Sequence, residues 1–82
     1  MSVEFEWRTY ELLLCSDVQA DGMYLEMMDT TDDARTVVLV AFYSDADGRM
    51  TLSAYRENLP LAAVEWFIAE AKRCLPPSGQ AT

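Results

Sequence analysis

The stretch RTVVLVAFY, positions 35–43, constrains this chain more than any other. After Arg35 it carries no charge, and Val37, Val38 and Val40 favour extended backbone. Its apolar residues occupy both faces, with Val37, Leu39 and Ala41 on one and Val38, Val40 and Phe42 on the other. A strand that is apolar on both sides must be covered twice. The run therefore predicts a central strand.

Turn chemistry divides the chain before and after it. In VEFEWRTYELLLC, positions 3–15, Phe5 and Trp7 alternate with Glu4, Glu6 and Arg8. Tyr10, Leu12 and Leu14 then continue on the opposite parity, which predicts a β-bulge or sharp bend at Thr9-Tyr10. SDVQADG reads as a turn with Gly22 at positive φ. MYLEMMD (23–29) and RMTLSAY (49–55) alternate as half-buried strands, with TTDDA and SDADG as the turns between strands. Linkers this short join antiparallel neighbours, because parallel crossovers need a dozen residues or more.

A helix is predicted over positions 60–75. Pro60 suits its first position, Leu59 serves as the cap, and Lys72 and Arg73 fall in the last turn. At 100° per residue, Val64, Phe67, Ile68, Ala71 and Leu75 form one stripe. Trp66 falls opposite, among Ala62, Ala69, Glu70 and Arg73, and these five are candidate partner-binding residues. The competing reading has a loop around Tyr55-Arg56 folding back over the indole.

The predicted fold is α+β: a four-stranded antiparallel meander with one C-terminal helix packed on one face, in the order β-β-β-β-α. Positions 1–75 form one domain, and PPSGQAT (76–82) reads as a disordered tail. At 51% apolar residues, the chain can build a core without metal or disulfides. One helix covers one sheet face only. The second face of the central strand then calls for the bent first strand or a second copy of the chain.

Fourteen acids against six bases leave a net charge of −8. That field repels nucleic acid and anionic membranes and favours a basic partner. In a meander the first and third turns share one end, so Asp17, Asp21, Asp45 and Asp47 are expected to form an acidic rim. Turn propensity also accounts for each of these aspartates singly. In order of elements alone, the chain is similar to Whirly-type single-stranded-DNA-binding domains, a resemblance that implies a curved sheet facing DNA and a helix-assisted dimer. Such a sheet needs a basic, aromatic face, and the charge here points the other way.

The inventory for catalysis is thin. There is no histidine, no Gly-rich phosphate loop, and no base beside Ser16, Ser44 or Ser53. DADG (45–48) fails as a calcium loop, because Tyr43 and Ala54 stand where carboxylates are required, so it reads as a hairpin turn. Cys15 and Cys74 match no metal or redox spacing. No cofactor, no metal and no enzyme activity are expected. The N-terminal MSVEFEWR lacks a signal-peptide pattern and no run is long enough to span a bilayer, so a cytoplasmic location is expected. The chain reads as a small acidic non-catalytic protein-binding domain. Its most concrete form is an immunity- or antitoxin-like inhibitor of a basic partner, and the alternative is a homodimeric regulatory module.

Overall fold

In the computed structural model, which describes residues 2–32 and 35–75, five strands precede one helix. They are β1 (Ser2–Phe5), β2 (Arg8–Asp17), β3 (Gly22–Asp29), β4 (Thr36–Ser44), β5 (Met50–Ala54) and α1 (Leu61–Cys74). The sheet is antiparallel throughout, in the order β1-β2-β3-β4-β5. The α+β meander with a C-terminal helix stands, with five strands rather than four. Asp33 of the second long turn and the tail expected over 76–82 lie outside the described residues.

The additional strand explains the change of phase near the N-terminus. Phe5 pairs with Arg8, so Glu6 and Trp7 form a two-residue hairpin turn, with φ of 50° and 67°. Two left-handed residues in a two-residue loop are the type I′ arrangement that matches sheet twist. That turn separates β1 from β2, and no bend is needed at Thr9-Tyr10. Turns of this kind normally carry Asn-Gly, and neither residue is present here to announce one.

A bulge does occur, but between β3 and β4. Met27 pairs with Leu39 and Met28 with Val37, which leaves Val38 as the extra residue. Val38 and Leu39 are consequently both buried in the core. The expected alternation along this strand is corrected by one residue: Val37, Val40 and Phe42 share the face away from the core.

Register assigns the faces. Val3, Tyr10, Asp29 and, one row along, Leu12, Met27 and Leu39 lie on the side covered by α1. The opposite side carries Leu13, Tyr24, Met28, Val40 and Phe42, with the Arg35–Glu11 ion pair (2.7 Å) at its margin. No element among the described residues lies over that side. The apolar surplus of β4 is real, and β1 does not curl over it.

Gly22 is needed for closeness rather than for positive φ. A Cβ there would sit 2.2 Å from the Tyr43 carbonyl oxygen and 2.6 Å from the Phe42 ring. The left-handed positions at this end are Asp21 (φ 57°) and Gly48 (φ 73°). DADG forms the β4–β5 turn, closed by the Ser44 N–H donating to the Arg49 carbonyl at 3.0 Å.

The helix starts one residue later than predicted, with Pro60 as its N-cap and no side-chain cap bond. It is also rotated. Ala63, Phe67, Ala71 and Leu75 are buried, while Ile68 of the expected stripe is 37% exposed. Its place is taken by Trp66, which packs on Phe5 with ring centroids 5.9 Å apart and planes tilted by 50°. The hairpin at Glu6-Trp7 folds β1 onto the sheet edge and so supplies the ring that Trp66 meets.

Candidate functional site

Trp66 is therefore not on a solvated face, and its placement there is corrected. It is half-buried against β1 of its own chain, not beneath a loop around Tyr55-Arg56. Of its expected neighbours, Ala62, Ala69 and Arg73 are exposed, and Glu70 is half-buried. Arg73 does not support the indole: its guanidinium bonds the Glu70 carboxylate at 2.6 Å.

Asp17, Asp21, Asp45 and Asp47 are brought to one end of the sheet. The Asp45 N–H donates to the Asp21 carbonyl at 3.0 Å, stitching the β2–β3 turn to the β4–β5 turn. Asp17 Oδ1 accepts the Ala20 N–H (3.0 Å) and Asp47 Oδ1 the Arg49 N–H (3.0 Å), so two of the four carboxylates shape their own turns. Among the described residues, no three acidic or cysteine side chains gather as metal ligands do. Cys15 and Cys74 are free thiols, each half-buried. No described helix is long and apolar enough to cross a membrane.

The opposite end of the sheet carries an arrangement that sequence reasoning missed. Asp29 lies at the end of β3, 3% exposed, the one buried charged residue among those described. Its Oδ2 accepts hydrogen bonds from Arg8 Nη1 (2.9 Å) and Arg56 Nη1 (2.5 Å), and its Oδ1 from the Thr31 N–H (2.9 Å). Burial pushes this carboxyl up. The bonds from Arg56 and Thr31, with the Arg8 charge, outweigh burial and hold it well below the ordinary 3.8. Two guanidiniums from β2 and from the segment after β5 are thus clamped together by one carboxylate.

Each of these arginines has an exposed aromatic neighbour in the chain. Trp7 precedes Arg8 at the tip of the left-handed turn and is 87% exposed; Tyr55 precedes Arg56 and is also exposed. Beside them is a small polar pocket lined by Glu6, Arg8, Tyr10, Arg56, Asn58, Leu59 and Pro60. Glu6 and Asn58 both have left-handed backbone, with φ of 50° and 59°. Non-glycine residues in this region cost on the order of 1–3 kcal/mol each, and such strain gathers where a surface is used.

A second missed feature is the free edge of β5. Its five residues are all exposed and none is charged. The Ser44–Arg49 and Val38–Tyr55 backbone bonds set the phase of the β4–β5 ladder. Thr51 and Ser53 then turn their amides inward, and Met50, Leu52 and Ala54 turn theirs to the free edge. Beside that edge runs an apolar groove of about 250 Å³, lined by Met50, Leu52, Phe67, Ile68, Ala71 and Lys72 among others. The exposure of Ile68 opens this groove.

Compared with protein-family models, with curated proteins and with solved structures, the chain has no match in any of the three.

Proposed function

We propose that this chain is a non-catalytic protein-binding domain that acts by occupying a partner, in the manner of an inhibitor. The observation that carries the reading is Trp7. Folding gives no reason for an indole at this position, because the ring packs on little of its own chain and its backbone is left-handed. Arg8 follows it in the chain and shares the Asp29 carboxylate with Arg56, which Tyr55 precedes, and Trp, Tyr and Arg are the residue types that dominate interface hot spots. Asp29 supports the surface by fixing both arginines before any partner arrives, which lowers the ordering entropy lost on binding.

The net charge of −8 supports a basic partner, drawn in over long range and released at high salt. A photo-crosslinking residue at position 7, with a second at Val18 beside the acidic rim, tests this in the native cell. Capture of one discrete basic protein from position 7 supports the reading. Capture from position 18 alone moves the contact to the rim, and equal labelling of many proteins from both positions rejects it.

Trp7→Gly removes the left-handed strain of one bulky residue, about 1–2 kcal/mol, and adds about 0.4–1 kcal/mol of unfolded-chain entropy. The variant should be more stable than wild type by about 0.5–1 kcal/mol in urea melts. It should at the same time lose the partner. A destabilised Trp7→Gly variant would show that the indole serves the fold.

A second reading, a homodimer, is favoured by the β5 edge. Antiparallel pairing of two copies about Leu52 would bond the outward amides of Met50, Leu52 and Ala54 and merge the two grooves. Leu52→Lys places a charge at the centre of that edge without touching the buried core. Sedimentation should show wild type as a dimer and this variant as a folded monomer. A monomeric wild type at high concentration removes the reading.

A further inference from the structure

We propose that the pocket between β2 and the N-terminus of α1 binds a small oxyanion, the carboxylate or phosphate group of a ligand, between the Arg8 and Arg56 guanidiniums with the Tyr10 hydroxyl as a third donor. This goes beyond the protein-partner reading, since the ligand is a single anionic group and the pocket is tested without any partner.

The donors come first. Arg8 and Arg56 each spend only Nη1 on Asp29, end-on and on the same oxygen, where a guanidinium facing one carboxylate usually engages both oxygens in parallel. Among the described residues neither makes a further hydrogen bond, so Nη2 and Nε of both remain for a ligand. The two side chains are 46% and 33% exposed, so these donors reach the pocket they line. Two positive charges held against one negative charge leave an excess that attracts an anion locally, even in a chain of net charge −8.

Tyr10 is the independent observation. It is 1% exposed and lines the pocket, and its hydroxyl has no hydrogen-bond partner among the described residues. No fully buried side-chain polar atom there lacks a partner, so the phenol oxygen opens onto the pocket instead of being sealed in the core. A buried ring that delivers an unpaired hydroxyl beside two arginines is what recognition of an oxyanion requires. Burial pushes the phenol pKa up, and the Asp29 charge adds to this against Arg56 and Arg8. The hydroxyl therefore stays protonated and donates.

Size and surroundings narrow the ligand. The pocket holds about 130 Å³. Liquid water takes about 30 Å³ per molecule, so the space suits a single carboxylate or phosphate group. Glu6 is the one acid on the wall; it is exposed and sits on the left-handed turn, from which its carboxylate can turn into solvent. Its charge opposes an incoming anion, so neutralising it should tighten the site.

Thermal melts and calorimetric titrations with sodium phosphate and with sodium acetate, each against sodium chloride at equal ionic strength, test the proposal. Phosphate or acetate should raise the melting temperature where chloride does not, and the tighter of the two assigns the ligand group. Tyr10→Phe should weaken that binding about tenfold, as loss of one hydrogen bond to a charged group does, and should melt like wild type without the anion. Glu6→Gln should tighten it by a similar factor. Equal response to all three salts in both wild type and Glu6→Gln overturns the proposal, as does binding that Tyr10→Phe leaves unchanged. The crosslink from position 7 is unaffected by this outcome, so failure here and failure of the partner reading are told apart.

Discussion

Asp29→Ala is expected to destabilise the domain by about 3 kcal/mol, at the lower end of the range for breaking a buried ion pair. The carboxylate is 3% exposed and accepts from two guanidiniums and the Thr31 N–H. Its removal takes the acceptor from that N–H and sets Arg8 and Arg56 against each other. Both arginines partly reach water, which keeps the loss below the upper end. For a domain of this length total stability is about 4–12 kcal/mol, so the loss is a large share of it and should lower the melting temperature by about 12–24 °C. Asp29→Asn can keep its oxygen on the two guanidiniums but then turns its amide towards the Thr31 N–H and loses the charge, so it should recover only part of the loss.

The same carboxylate gives the fold an acid limit. Asp29 titrates below its ordinary value when folded, because the bonds from Arg56 and Thr31 and the Arg8 charge outweigh burial. Its contribution is therefore fully present above the unfolded value of about 4 and is lost as pH falls below that. Wild type should lose stability steeply below about pH 4, and the difference between wild type and Asp29→Ala should shrink over the same interval. A constant difference from pH 7 to pH 2 would mean that Asp29 is not paired in solution.

The parts of this structure that were legible in the sequence depend on periodicity. Alternation in 23–29 and the doubly apolar run at 35–43 placed β3 and β4, and Pro60 with Lys72 and Arg73 placed α1. What was not legible depends on backbone conformations that the residues do not advertise. Glu6 and Trp7 adopt a turn that usually signals itself through Asn-Gly, so β1 merged with β2. The bulge at Val38 exchanged the faces of two adjacent valines, which alternation alone cannot reveal.

The candidate sites divide along the same line. The acidic rim follows from topology, since alternate turns of a meander share an end whatever their residues. The Asp29 cluster needed distances between Arg8, Asp29 and Arg56, which are far apart in the chain. One signal was available: Asp29 continues the parity of Leu25 and Met27, so an acid stood on the core face of a strand and required cationic partners. The exposed tryptophan was a matter of register. With β1 folded back, Phe5 covers Trp66 and the uncovered indole is Trp7.

That exchange sets the ordering expected for substitutions on and beside α1. Phe67 is 0% exposed in the centre of the core, so Phe67→Ala should cost about 3–5 kcal/mol, through lost transfer energy and a cavity the rigid sheet cannot close. Trp66 is half-buried on Phe5, and Trp66→Ala should cost about 2 kcal/mol, the contact with one tilted ring included. Ile68 borders the open groove, and Ile68→Ala should cost under about 1 kcal/mol in a monomer. A helix rotated the other way, with Ile68 inward and Trp66 in solvent, reverses the last two values and leaves Phe67 unchanged. Urea melts of the three variants therefore read the azimuth of α1 directly. If Ile68→Ala proves the costlier of that pair, Trp66 returns to the surface, and the case for Trp7 as the one uncovered indole fails with it.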